Sequence, residues 1–417
     1  MPHSHGHTHG SPTEMSPEMR DRQRRALRIM VMIVIPLAIW TLAALVVTWP
    51  KNARDHIVAD SSAWAVPGVT MPVGTVVSVE PQSCDGMPGS IPDVESTCAT
   101  AQVRVDEGVD AGRVVPILLT APQYASGVDP GTKIKMVRTP LEDGTGDFQF
   151  SDFERSVPLI FFLVVFVVAV VAIARFRGFM SLVGLGFAAV VMTQYMFPAL
   201  VSGSDPVLVG LVGSSAIMFV VLYTAHGFSA RTTTALLGTL FGLGVAAALG
   251  VVATRWAHLV GVTAEDDYIL VGNAPDLNLT SVVICGIIVA GLGVLNDVTI
   301  TQASAVWELA SSGRRTAREL YTSAMRIGRD HIASTVYTIA FATAGASLST
   351  LLLIAVYQRG IWEVLQTELF ATEVLRTVVG SIGLVLAMPL TTAVGVAAVA
   401  LGRGGSATPK PEPAADS

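Results

Sequence analysis

About 20 consecutive apolar residues, wound as an α-helix, cross the roughly 30 Å of hydrocarbon in a bilayer. This chain carries about eight such runs: Ile29–Trp49, Val157–Ala174, Phe179–Val201, Val207–Thr224, Ala235–Ala253, Leu279–Thr301, Ile332–Tyr357 and Val374–Leu401. A helix that is apolar all round needs lipid or a large core around it. The runs therefore predict a membrane all-α helical bundle. Charge is depleted to match: 14% of the 417 residues are Asp, Glu, Lys or Arg, against about 25% in soluble domains.

Orientation follows from Lys and Arg, which favour the cytoplasmic side of short loops. Arg20, Arg22, Arg24, Arg25 and Arg28 precede the first run. Alternation from a cytoplasmic N-terminus then places Arg175, Arg177, Arg231, Arg314, Arg315, Arg318, Arg326 and Arg329 inside, with Arg403 and Lys410 in the tail. The short outside loops carry Asp205, Glu265, Asp266, Asp267, Asp276, Glu363, Glu368 and Glu373 instead. The expectation is a multi-pass protein of the cytoplasmic (inner) membrane with both termini cytoplasmic. Residues 29–49 are too long an apolar run, without an A-x-A-like site after it, for a cleaved signal peptide, and read as an uncleaved anchor.

Between Lys51 and Arg155 the pattern changes. Gly74–Val79, Ala101–Val105, Val114–Leu119 and Lys133–Val137 are short β-branched runs punctuated by Gly, Pro, Asp and Ser. They predict a small all-β domain, barrel or sandwich, inserted at 50–156 and extracytoplasmic, serving as a spacer or a dock for an envelope protein partner. Cys84 and Cys98 are an isolated pair in this exported stretch, which reads as a disulfide. Cys285 lies alone in an apolar run, as a small core residue does. The ends, 1–28 and 403–417, are low-complexity and expected to be disordered. His3, His5, His7 and His9 can chelate a divalent metal weakly on such a chain. No other cofactor is expected, and no basic stripe with interleaved aromatics points to nucleic acid.

The chemistry-bearing stretch runs from Cys285 to Leu348. Asp297 stands within a spanning run, where a carboxylate costs about 2.5–3.5 kcal/mol on insertion scales and marks an ion or proton path. Asn296, Thr299, Thr301 and Gln302 accompany it, and Gly286, Gly291 and Gly293 predict close helix contact. Residues 303–328 form an expected cytoplasmic amphipathic loop of helices, broken at Ser311–Gly313 and restarted by a capping box at Thr316 and Glu319. Its arginines suit anionic lipid. Arg329, Asp330 and His331 are expected to open the seventh spanning helix, with Asp330 favoured by the dipole, Arg329 able to pair with Asp297 or Asp330, and His331 able to exchange a proton with either. His226 and Arg231 fall in another inside loop and can share that vestibule.

Three runs resemble the YibE/F-like family of bacterial membrane proteins: His226 to Thr239, Gly293 to Leu309 and Ile327 to Thr335. Asn296 stands where the family more often has Asp, and Tyr337 where it often has Asn. The resemblance spans most of 157–400 and implies a polytopic membrane protein without assigning an activity. A weaker likeness, in Gly-Val-Leu-Asn-Asp-Val-Thr and the basic loop after it, is to SecD/SecF and RND-type permeases, which implies a membrane Asp that couples proton entry to an extracytoplasmic domain. Their halves have six helices, unlike this chain. The chain has no GxGD, HExxH, GxSxG or Walker A pattern, so it is expected not to be an enzyme. The function expected is a proton- or ion-coupled transporter or export-assisting permease using Asp297, with a non-transporting envelope scaffold or receptor acting through 50–156 as the alternative.

Overall fold

The computed structural model describes residues 17–58, 68–84, 96–141, 144–313, 315–357 and 360–403, which fall into two compact units, 59–173 and the remainder. The histidine run at 3–9 lies outside the described residues.

The unit 59–173 is built on five antiparallel strands: β1 Val73–Ser83, β2 Thr97–Val105, β3 Val114–Leu119, β4 Lys133–Pro140 and β5 Gly146–Phe153, with a one-turn helix α2, Ala121–Ala125, between β3 and β4. Their order is β3-β2-β1-β4-β5, and β3 also approaches β5. The sheet thus curls into a partly open five-stranded barrel, as in OB-folds. Strand alternation supplies the core: Val103 and Val105 of β2, Ile117 and Leu119 of β3, Ile134 and Met136 of β4 point inward while their neighbours face out. Cys84 and Cys98 are bonded, Sγ to Sγ at 2.01 Å. Arg138, buried on β4, is clamped by Asp110 from the turn before β3, and its guanidinium holds the Asp110 carboxyl below the ordinary range.

Glu154 joins β5 to the helix that follows. Its Oε1 accepts from the Ser156 amide at 2.9 Å and its Oε2 meets Lys135 Nζ at 3.1 Å. These contacts, led by Ser156, lower its carboxyl from 4.5 to about 2. A depressed carboxyl stabilises the folded state above its unfolded pKa and loses that contribution as pH falls through the folded one. The stability difference between wild type and Glu154→Gln is therefore full at neutral pH, shrinks below 4.5 and is gone near 2. Hydrogen exchange of the β4–β5 amides in both proteins measures it; a difference independent of pH would refute the assignment.

The other unit is helical. Its elements are α1 Pro17–Val47, α3 Ser156–Val191 (of which 174 onward belongs here), α4 Phe197–Val201, α5 Pro206–His226, α6 Ala230–Trp256, α7 Glu265–Asn273, α8 Leu279–Ser311, α9 Ala317–Ala346, α10 Leu348–Tyr357, α11 Ile361–Leu365 and α12 Glu368–Arg403. Six helices among the described residues are long and apolar enough to cross a membrane: Met30–Val47, Ser156–Val201, Pro206–His226, Ala230–Trp256, Leu279–Ser311 and Glu368–Leu401. A seventh is reached if α9 and α10, bent by 66°, are one span. Two expected runs, Val157–Ala174 and Phe179–Val201, lie inside the 46-residue Ser156–Val201 stretch, whose backbone leaves the helical region at Arg175 (φ 53°, ψ −134°). Between α3 and α4 the chain takes a π turn, Met192–Met196; Pro198 cannot donate to the carbonyl four residues back and crowds it, which the wider turn relieves.

The core lies where α6, α8 and α12 meet: Leu236, Leu243, Leu295, Val298, Leu384, Ala387 and Met388 are buried together. α1 closes against α6 and α12, Met30 packing with Ala230 of α6 and Ala398 of α12.

One expectation is corrected. Residues 303–328 are not set apart from the flanking helices but divide between α8 and α9. α8 continues to Ser311, and α9 starts at the Thr316 capping box, where Thr316 Oγ1 accepts from the Glu319 amide at 3.2 Å, and then runs unbroken to Ala346. Arg329, Asp330 and His331 are therefore mid-helix, and Asp330 gains nothing from an N-terminal dipole, which acts within the first turn. The only residue in this stretch that could have stopped the helix, Gly328, is instead a packing contact.

Candidate functional site

α8 has two unlike faces. Asn278 caps it, Oδ1 accepting from the Thr280 amide at 2.9 Å. Ile284, Ile288, Leu295, Val298, Gln302 and Val306 are buried against neighbouring helices. On the opposite side, at spacings of three and four, stand Gly286, Ala290, Gly293, Asp297, Thr301, Ser304 and Glu308. Ala290, Gly293, Asp297 and Glu308 are exposed and the others half-buried. A lipid-facing stripe is ordinarily large and apolar, as on α3, where Phe161, Phe162, Leu163 and Val164 are exposed. The open stripe of α8 has no such side chain and carries an acid within a helix long and apolar enough to cross a membrane.

Gly293 was expected to mediate a close contact; a Cβ there would meet nothing within 4 Å. It belongs to the open stripe, whereas Gly291 is buried.

α9 meets α8 in the C-terminal half of α8. Leu320, Ala324 and Gly328 are its buried residues. Gln302, 1% exposed, donates from Nε2 to Thr392 Oγ1 of α12 at 2.7 Å and to the Ala324 carbonyl of α9 at 3.1 Å. Three helices are thereby joined through one amide, whose Oε1 has no partner. Gly328 sits over it: a Cβ there would lie 2.3 Å from Met388 Sδ and 2.9 Å from Gln302 Oε1. One turn deeper, Thr239 Oγ1 of α6 and Thr299 Oγ1 of α8 share a 2.7 Å hydrogen bond.

Beyond Gly328, α9 exposes many small residues, Ala333, Ser334, Thr338, Ala340, Ala342, Ala344 and Gly345, interspersed with the exposed Val336, Tyr337 and Phe341. Its link to the bundle there is Thr343 Oγ1 to Thr377 Oγ1 of α12, 3.4 Å. α9 leaves Ala290, Gly293 and Asp297 of α8 uncovered.

The expected site residues separate accordingly. The Asp297 carbonyl accepts from Thr301 Oγ1 at 2.7 Å, and its carboxylate makes no ion pair among the described residues. Arg329 and Asp330 are exposed and His331 half-buried on α9; none of them is joined to Asp297 by a hydrogen bond or ion pair among the described residues. Asn296 beside Asp297 has its Oδ1 buried without a partner. His226 ends α5 and is exposed, and Arg231 is in the first turn of α6, where Ser229 caps the helix by accepting from the Thr232 amide at 3.1 Å. Neither is bonded to the Asp297 stripe. Sequence reasoning named Gln302 only as a companion of Asp297; adjacent hydroxyls in an otherwise apolar run, Thr391 and Thr392, are the signal that could have located its partner.

A family model described as YibE/F-like protein matches residues 162–401, from within α3 almost to the end of α12, and leaves the strands outside the match. No curated protein and no solved structure matches the chain.

Proposed function

The chain belongs to the YibE/F-like family, and from that premise we propose that this multi-pass membrane protein is a proton-coupled transporter or export-assisting permease working through Asp297. The observation that carries the reading is a carboxylate without an ion pair among the described residues, on an open stripe of small residues inside an apolar helix. Such a stripe is solvated or covered by protein in a membrane, since lipid solvates neither the charge nor the bare backbone well. Protonating Asp297 removes the roughly 2.5–3.5 kcal/mol cost of its charge. That is enough to bias a two-state closure of the stripe by about a hundredfold. Gln302 and Gly328 fix the inner end of α9, so the element free to close is its outer half, from Ala333 to the bend before α10.

In this reading Ser156–Val201 crosses twice, turning at Arg175, and α9 with α10 crosses once, for eight spans in the inner membrane. The basic residues at the loop ends support cytoplasmic termini and an extracytoplasmic 50–156 domain, which would be the part that moves or grips the substrate. The reaction needs no cofactor and makes or breaks no covalent bond.

The test addresses the stripe directly. A thiol reacts only as thiolate, which water permits and hydrocarbon does not. Ala290→Cys and Gly293→Cys should be modified by a membrane-impermeant maleimide in sealed vesicles, while Val165→Cys on α3 is not. Native background is small, because Cys285 is buried and Cys84 and Cys98 are bonded. Silence at both stripe positions would remove the aqueous path and leave the scaffold reading, in which the 50–156 domain docks an envelope partner.

A further inference from the structure

A second site lies away from Asp297, at the C-terminal end of α1. An open cleft of about 420 Å³ is bordered there by Val47, Trp49 and Lys51, and by Ser204, Asp205 and Leu208 at the start of α5. Two spans terminate at it, one leaving at Val47 and one entering at Pro206, so the cleft stands at headgroup depth. Trp49 packs on Tyr195 with ring centres 5.9 Å apart, the aromatic signature of that level.

Its lining divides into two parts. Val47, 81% exposed, and Leu208, 37% exposed, continue the apolar helix surface. The same lining carries one ammonium, one carboxylate and a hydroxyl. Lys51 Nζ has no ion pair and Ser204 Oγ no hydrogen bond among the described residues. Asp205 uses Oδ1 to cap α5 through the Leu208 amide at 2.8 Å, and its Oδ2 makes no hydrogen bond or ion pair among the described residues. Lone opposite charges beside an apolar rim match an amphiphile that is itself zwitterionic. The carboxylate calls for an N–H donor; a quaternary ammonium has none and would need an aromatic cage, whereas Trp49 already packs on Tyr195.

We propose that this cleft binds the headgroup of a phospholipid bearing a primary ammonium and a phosphate, with the ammonium on Asp205, the phosphate on Lys51 and Ser204, and the chains over Val47 and Leu208. The inference is independent of the transport reading.

Native mass spectrometry of the full chain, with phosphatidylethanolamine, phosphatidylcholine and phosphatidylglycerol offered in equal amounts, tests it. Ethanolamine lipid should be retained about tenfold over the other two, the effect of one charge-assisted hydrogen bond. Asp205→Asn keeps the helix cap, since Asn serves as well there, and should erase the preference over phosphatidylcholine. Lys51→Ala should lower retention of all three. Equal retention in the wild type, preference for phosphatidylglycerol, or indifference to both substitutions would overturn the proposal. Displacement of the lipid by free phosphoethanolamine at equal concentration would also overturn it, assigning the cleft to a soluble zwitterion.

Discussion

Asp297→Asn abolishes proton entry into proteoliposomes under an imposed pH gradient while leaving the thermal midpoint of the bundle unchanged or slightly raised. The two expectations follow from one position. The carboxylate has no ion pair among the described residues and is exposed, so the amide removes no packing and relieves the charge cost. An amide cannot take up and release a proton in the accessible range, so a relay through this position stops rather than slows. Arg329→Gln and His331→Gln, on a separate helix and unbonded to Asp297, should lower flux by much less. Flux that survives Asp297→Asn at wild-type level would exclude this carboxylate as the coupling group. Loss of flux together with a lowered midpoint would instead mark it as structural.

Gly238→Ala should destabilise the bundle by about 1–3 kcal/mol or more, the range for an extra methyl forced into a filled core. The Cβ would lie 1.9 Å from Thr391 Oγ1, 3.0 Å from Thr391 Cβ and 3.3 Å from Thr299 Cγ2. Thr391 cannot swing away freely, because its side chain is β-branched and its hydroxyl donates to the Ala387 carbonyl at 2.8 Å. α6 and α12 must separate, and the Thr239–Thr299 bond beside them stretches. Thr391→Ala removes the worst contact, so the double variant should recover part of the loss, a coupling that a thermodynamic cycle measures. Strict additivity would mean that the α6–α12 approach is looser than these distances. Gly328→Ala should act similarly on α9, less severely, since Met388 and Gln302 present flexible side-chain ends.

The spanning helices were legible because their signal is long and redundant: twenty apolar residues survive errors of several positions. The fusion of the basic segment with the seventh run was not, since Ser311–Gly313 and the Thr316 box gave a sharp start while Gly328 resembled a second break. A glycine within a helix serves packing or punctuation, and only the neighbour decides; here Met388 and Gln302 do. The same ambiguity hid the open stripe. Gly286, Gly291 and Gly293 look alike in sequence, yet one is buried and one faces empty space. Asp297 was identifiable as anomalous because a charge in an apolar run is costly anywhere. Which way it faces depends on α9, an element fixed through Gln302 to residues 22 and 90 positions away. The strands were visible from their alternation, although the order β3-β2-β1-β4-β5 was not, because pairing partners leave no local trace.

The packing of Met30 against Ala398 sets an order of assembly. α1 is made before α12, against which Met30 comes to pack. At 5–20 residues per second the wait is on the order of tens of seconds, during which α1 has α5 and α6 to pack on but not α12. This contact joins residues far apart in sequence, a closure of the kind that slows folding. Truncation within α12 should therefore leave the first helix inserted but loose, exposing to quality-control proteases a segment nearly 370 residues upstream of the lesion.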